Sequence, residues 1–379
     1  MLNPHSSPLI PTSSVVDYPA RDMTITVGAG MAIGELQRIL REENQLLPID
    51  VADEAMTLGQ IVADDVCGPR QFGYGTLRDY VIGIEAVDGR RRVFHAGGRV
   101  VKNVAGYDLC RLLVGSGGQL GTITQITFKL KPLPPMQMLL VAGFRSLRDL
   151  ESALERLNVS ATCPMILDVI GRSVHAALLS DAVPELVGTQ RCLDAVGVLV
   201  AEHGPGAPAT GIDQRVSDAA ALLAIGFEGL PVACHWQSKT MKEELHGTAT
   251  WVHEASRPDA TNVYCRSVQL ASQPSSETAW MARFTTLPSR VVSVFKSLQE
   301  VGCAVFGRAG NGVLFVRPDT DSAGATSRAD EPQGMSLLAS LASDGVGSVS
   351  ALKSAAARGT QSAPEVARIS RQLRELLGA

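Results

Sequence analysis

Apolar positions in the first third of the chain switch between a period of two and a period near 3.6. Met23–Val27 (MTITV) alternates and reads as a short strand. From about Ala32 to Asn44, Ile33, Leu36 and Leu40 share one helical face, with Glu and Arg opposite. Thr57 stands as the N-cap of a short helix running to Asp64, whose free N–H groups could receive a phosphate or a carbonyl. Tyr80–Val87 reads as a strand, Asp88-Gly89 as a hairpin turn and Arg91–His95 as the returning strand. A polar loop, Lys102–Leu109, precedes the glycine-dense turn Val114–Gly121. Thr122–Lys131 then alternates, with Ile126, Phe128 and Leu130 on one face. The four glycines 115, 117, 118 and 121 allow close approach of another backbone or a flat ligand.

The stretch Lys131–Pro135 (KPLPP) breaks regular pairing and stiffens the chain, which divides it into residues 1–135 and 136–379. Beyond it, Met138–Phe144, Met165–Ile170 and Val196–Ala201 read as strands. Ser146–Leu157 and the alanine-rich Ile212–Ala224 read as helices, and the order suggests a ferredoxin-like α+β unit. Residues 235–262 give no clear period, and His246 and His253 read as ordinary polar residues. Val263–Leu270 and Trp280–Thr285 look like strands. Pro288 opens an amphipathic helix with Val291, Val294, Phe295 and Leu298 inward. Cys303–Phe306 and Val313–Val316 pair around a glycine-containing turn. The polar residues 319–333 form a flexible loop, and Val366–Leu377 a closing helix.

Composition narrows the chemistry. A chain of 379 residues with 45% apolar content can bury more than one core. A net charge of −4 and only 4% aromatic residues give no footprint for nucleic acid. The seven cysteines are scattered, with no C-x-x-C, which speaks for reduced thiols in a cytoplasmic protein and against an iron–sulfur or zinc site on this chain. No apolar run is long enough for a direct membrane span, and residues 1–14 lack the features of a signal peptide. Gly28-Ala29-Gly30, between strand and helix, is a weak dinucleotide-fold signal: the third glycine of G-x-G-x-x-G would fall at Ile33.

The sequence words say more than the periodicity. K-N-V-A-G-Y-D-L (Lys102–Leu109), followed by V-G-S-x-G-x-L-G-T-I-T from Val114, closely resembles the end of the FAD-binding domain in the vanillyl-alcohol oxidase/PCMH flavoprotein superfamily. Within it, the form is most similar to the FAD-binding subunits of bacterial glycolate oxidases. Thr57, Gly59, Val62, Ala63, Gly68, Tyr74, Gly75, Arg78, Asp79 and Val81 match the superfamily's second FAD segment. The chain departs at Gln60, where a second glycine is usual, and at the acidic Asp64-Asp65.

The resemblance implies a fold class: α+β, with a PCMH-type FAD-binding domain over residues 1–135 and a ferredoxin-like α+β cap domain over 136–379. Nothing like R-G-G-G-T precedes Val27-Gly28-Ala29-Gly30, so the first domain reads as N-terminally shortened, without the usual pyrophosphate loop. The terminal N-P-G of the superfamily is also absent after Leu377. The resemblance further implies FAD, held non-covalently by Thr57, Gly59, Gln60, Ala63, Gly68, Tyr74, Gly75, Gly121 and Ile123. Arg70 and Lys102, which flank these segments, are the candidate cations for a substrate carboxylate, with a surface cation or a phosphate contact as the simpler reading of each. The implied activity is hydride transfer from a small 2-hydroxy acid to flavin. It would occur in a complex with a larger flavoprotein subunit and an iron–sulfur subunit, in the cytoplasm and peripheral to the inner membrane through those partners. The alternative is a non-catalytic assembly subunit with weak or no FAD binding.

Overall fold

The computed structural model describes residues 11–51, 53–98, 108–172, 174, 218–255, 261–262, 264–265, 268, 280–319 and 331–353. The chain divides into two compact units, with the first break between Leu133 and Pro134.

The first unit contains β1 (Val15–Asp17), β2 (Thr24–Gly28), α1 (Ile33–Glu42), β3 (Gln45–Leu46), α2 (Leu58–Asp64) and α3 (Gln71–Tyr74). It continues with β4 (Val81–Val87), β5 (Val93–Gly97), α4 (Leu109–Leu113), β6 (Thr122–Lys129) and β7 (Lys131–Pro132). Five strands form an antiparallel sheet in the order β1-β2-β6-β4-β5, and β3 pairs with β7. The alternation in β2 and β6 and the stripe on α1 have a common destination. Ile25, Val27, Leu36, Leu40, Ile126 and Phe128 are all fully buried in one core, with Ile61 and Val62 of α2 beside them. The hairpin returns later than Asp88-Gly89 implies, because its turn is longer: Arg91 takes φ 60°, and the Asp88 carboxylate accepts from the backbone N–H groups of Arg90 and Arg92. Arg92 Nη2 also pairs with Asp88 Oδ2, at 2.7 Å.

The second unit contains β8 (Met136–Phe144), α5 (Leu147–Leu157), β9 (Ile166–Gly171), β10 (Ala221–Gly229), α6 (Pro231–Leu245) and β11 (Trp251–Ala255). The same succession then recurs as β12 (Met281–Thr286), α7 (Val291–Glu300), β13 (Cys303–Arg308), β14 (Val313–Pro318), α8 (Glu331–Ser343) and β15 (Gly347–Lys353). The sheet order is β11-β8-β10-β9-β13-β14-β12-β15. Each half is a β-α-β-β-α-β motif with the connectivity of the ferredoxin-like unit. The two halves share one eight-stranded sheet through the antiparallel pairing of β9 with β13.

Three expectations for this unit change. The third strand of the first motif is Ala221–Gly229, so Ala221–Ala224 is strand rather than the end of a helix; Val196–Ala201 lies outside the described residues. The physical reason is burial on both faces: β10 lies between β8 and β9, and a strand with no solvent face shows no alternation. Within Val263–Leu270 the described residues are helical, and Tyr264, Cys265 and Val268 are buried at a helical spacing. Glu331–Gln333, placed in the polar loop, begins α8. The helix expected at Val366–Leu377 lies outside the described residues.

Candidate functional site

Helix α2 and the glycine turn, far apart in sequence, meet in the first unit. Thr57 caps α2 as its sequence position requires: its Oγ1 accepts from Gln60 N at 3.3 Å. The other early N–H groups are also occupied. Leu58 N donates to Met31 O at 2.9 Å and Gly59 N to Ala29 O at 2.7 Å. A Cβ at Gly59 would stand 3.1 Å from Ala29 O, so this glycine permits the Gly28–Met31 turn to lie against the helix. The start of α2 is thus satisfied by protein and is not a receptor for an anion. Gln60 is exposed and Ala63 half-buried.

At the other end of α2, Gly115 N donates to Val62 O at 3.0 Å and Gly117 N to Ala63 O at 2.8 Å. Glycines 115, 117 and 118 have φ of 76°, 59° and 71°, the left-handed values that let the turn fold onto those carbonyls. No heavy atom lies within 4 Å of a Cβ built at Gly118. Ser116 Oγ is buried and has no hydrogen-bond partner. The glycine turn therefore has one side docked on α2 and one side open. Arg78 Nε lies 3.9 Å from Asp65 Oδ2, and a Cβ at Gly115 would lie 3.2 Å from Asp65 Cβ.

The remaining expected site residues have mainly protein partners. Arg70 is buried: its Nη1 lies 2.5 Å from Asp50 Oδ1, and its backbone N donates to Asp50 Oδ2 at 3.1 Å. Arg70 is therefore not a surface cation, and Asp50 engages its charge. A Cβ at Gly68 would fall 2.1 Å from Asp50 Cβ, so Gly68 makes room for that carboxylate. Tyr74 offers its carbonyl to Tyr80 Oη at 2.6 Å, and burial, then Asp79, pushes the Tyr80 phenol up to about 12. Gly75 has φ 93° and packs against the Asp79 carboxylate, which accepts from Thr76 N at 2.7 Å. Gly121 has φ 151°, and a Cβ there would stand 2.8 Å from Val87 O. Its neighbour is the backbone of β4, not open ligand space. Ile123 is buried in β6 opposite Ala86. Lys102 lies outside the described residues.

Sequence reasoning did not find Asp50 or the orphaned hydroxyl of Ser116. Asp50 is twenty residues from Arg70, with no local period joining them. Ser116 stood in plain view within the glycine word, but nothing in the sequence says its hydroxyl lacks a partner.

Residues 12–97 match the family described as FAD binding domain. Glycolate oxidase subunit GlcE of Escherichia coli (strain K12) is 38% identical over 122 residues, 32% of this chain and 35% of that protein. Glycolate oxidase subunit GlcD of Bacillus subtilis (strain 168) is 25% identical over 310 residues, 82% of this chain and 62% of that protein. D-2-hydroxyglutarate dehydrogenase of Xanthomonas citri pv. viticola is 34% identical over 129 residues, 34% of this chain and 27% of that protein. The chain thus spans less than two thirds of each of these relatives. A solved structure of alkyldihydroxyacetonephosphate synthase superposes with a TM-score of 0.68 at 18% identity, covering 96% of this chain and 65% of that one. The α+β fold of the chain is shared with this structure.

FAD is the cofactor that the matched domain indicates. The donor set fits it at one place. Open backbone at Gly117 and Gly118 beside a buried, unpartnered Ser116 hydroxyl suits a ligand with a flat face and a hydrogen-bonding edge. Among the described residues, α2 adds no free N–H at its start for a diphosphate. No helix of the described residues is long and apolar enough to cross a membrane.

Proposed function

We propose that this chain, with an FAD-binding domain in its first unit, is the flavin-binding subunit of a glycolate oxidase-type 2-hydroxy-acid dehydrogenase complex. The observation that supports the reading is the docking of the glycine turn on α2, a helix within the residues matched to an FAD binding domain, with no heavy atom within 4 Å of a Cβ at Gly118 and a buried Ser116 hydroxyl that has no partner. FAD, when bound, accepts the hydride from the substrate α-carbon. The protein's share is to hold and orient. Ser116 and the turn backbone would meet the flat ring, and Thr57 fixes the helix on which the turn rests. Thr57, Gly59, Gln60, Ala63, Gly68, Tyr74, Gly75, Gly121 and Ile123 then act mostly by shaping this scaffold, with the flavin held non-covalently.

A hydride taken as two electrons must leave again, and the sequence has no C-x-x-C for a second redox centre. We therefore assign the chain a larger flavoprotein partner and an iron–sulfur partner. Alone and loaded with FAD, it should oxidise glycolate and D-lactate negligibly; co-expressed with such subunits, it should yield a stable complex active towards an artificial acceptor. Acid precipitation should release the yellow colour to the supernatant. Robust turnover by the single chain, or flavin retained on the denatured protein, refutes the corresponding part.

The occupied N–H groups at the start of α2 favour a second reading, a non-catalytic assembly subunit that binds little FAD. Flavin content of this chain, isolated from the assembled complex, separates the two: near one per chain supports the first, near none the second.

A further inference from the structure

The two edges of the five-stranded sheet are unlike. Strand β1 is three residues long, and its register against β2 shifts within them. Strand β5, at the other edge, pairs with β4 alone, over five residues in unbroken register from Val93 opposite Val87 to Gly97 opposite Gly83. Asp88 N donates to Arg92 O at 3.0 Å, so the hydrogen-bonded pairs of this ladder fall on Arg92, Phe94 and Ala96. The N–H and C=O groups of Val93 and His95 therefore point away from β4. Neither residue makes another backbone hydrogen bond among the described residues. His95 reaches Glu85, at 3.6 Å, through its ring alone, and its side chain is 70% exposed.

Natural sheet edges are blunted by proline, lysine, bulges, shortness or a covering element. Val93–Gly97 has no proline, lysine or bulge. Helix α4 lies by the far end, where a Cβ at Gly97 would stand 2.9 Å from Cys110 Sγ, and Val93 and His95 stay exposed. The charges stand in the turn that leads into the strand. Arg90, Arg91 and Arg92 are all exposed, and no acidic residue lies between Gly89 and Gly97. Asp88 engages Arg92, whereas Arg90 and Arg91 have no ion pair among the described residues. Cations this close to one another repel, and a carboxylate brought beside them relieves that repulsion.

Such an edge selects its occupant by chemistry. The outward groups of Val93 and His95 can pair with any extended chain. Half-buried Phe94 favours an apolar side chain beside it. The arginine turn favours a chain whose carboxylates fall next to it. A second copy of this chain is a poor occupant, because its own β5 and turn, from Gly89 to Gly97, bring arginines and no carboxylate.

We propose that the β5 edge binds an extended acidic segment of a partner protein as an added antiparallel strand, with apolar residues along Val93–His95 and carboxylates beside Arg90 and Arg91. The proposal stands apart from the flavin reading and is argued from the first unit alone.

Fluorescence anisotropy of the labelled peptide VTVTVEEE, titrated with the full chain, tests it. In antiparallel pairing the glutamates of this peptide lie beside the arginine turn. It should bind saturably, and VTVTVKKK should not. VPVPVEEE, which keeps the charge and loses backbone donors, should bind about threefold to tenfold more weakly. Replacing both cations, Arg90→Glu with Arg91→Glu, should weaken VTVTVEEE roughly tenfold or more. Val93→Pro should weaken it about threefold to tenfold, since it deletes an outward N–H at the first residue of an edge strand, where proline is tolerated. On the wild type, the peptide should slow amide exchange in Val93–Gly97 and leave β1 unchanged, a readout that stands if the variants fold poorly. No saturable binding, equal binding of VTVTVKKK or VPVPVEEE, wild-type affinity in the arginine variant, or protection that misses β5 overturns the proposal. Protection of β5 that rises with concentration of the chain alone also overturns it, and assigns the edge to a second copy.

Discussion

Replacing Arg70 by methionine asks whether this cation serves a ligand or the fold. Its guanidinium Nη1 is 2.5 Å from Asp50 Oδ1, and the two side chains are 7% and 5% exposed. Asp50 also accepts from Arg70 N, so the carboxylate anchors the turn after Gly68 as well as the side chain. Removing one partner of such a pair leaves the other charge desolvated, at a cost of about 3–5 kcal/mol. Replacing both by apolar residues of similar volume is often neutral. Arg70→Met should therefore speed the slowest amide exchange in β4 and β6 by roughly a hundredfold or more, since each 1.4 kcal/mol is tenfold. Asp50→Leu combined with Arg70→Met should recover most of that protection. Hydrogen exchange followed by mass spectrometry on peptides from Val81–Val87 and Thr122–Lys129 is the assay. Unchanged exchange in Arg70→Met, with lost affinity for a 2-hydroxy acid, would refute the structural role and restore Arg70 as a substrate cation.

Other outcomes follow from the same geometry. Gly121→Val should lower the stability of the first unit by about 1–3 kcal/mol, because its side chain meets Val87 O and its φ of 151° disfavours β-branching; selective flavin loss at wild-type melting temperature would contradict this. Ser116→Ala should leave stability unchanged or slightly higher, since the hydroxyl has no partner to lose, yet weaken FAD in a fluorescence titration; equal affinity would remove Ser116 from the site. Burial, then Asp108, pushes the Cys110 thiol up to about 11, and burial, then Asp319, does the same at Cys303. The unfolded thiols ionise first as pH rises, so stability should hold below about pH 9 and fall towards pH 11, with Cys110→Ala flattening the fall in a melting-temperature series. Among the described cysteines, exposed Cys163 should be alkylated first at neutral pH, well ahead of buried Cys110, Cys234, Cys265 and Cys303, as peptide mass spectrometry would read.

The elements easiest to read from sequence have one buried and one solvated side. Helices α1, α5 and α7 each carry an apolar stripe, and β6 alternates cleanly, because their surroundings are asymmetric. Strand β10 is buried on both faces, so its alanine-rich run carries no period and resembles a helix. Tyr264, Cys265 and Val268 carry strand-forming side chains but lie on a helical spacing.

By itself, the sequence determined the local devices: the Thr57 cap, the left-handed glycines of the 115–118 turn, the proline-marked break after Lys131, and the Thr57–Val81 segment, which lies within the residues that match an FAD binding domain. Each depends on residues close together in the chain, where backbone sterics and side-chain capping decide. Only the tertiary structure decided what those devices face. It turned Arg70 inward to Asp50, filled the start of α2 with carbonyls from the Gly28–Met31 turn, and set Gly121 against β4 rather than a ligand. It also brought Asp168 onto one sheet face with Arg283 and Arg308, which lie more than a hundred residues further along the chain. Strand register fixes such neighbours, and register is set by the packing of whole strands, which no short stretch of sequence encodes.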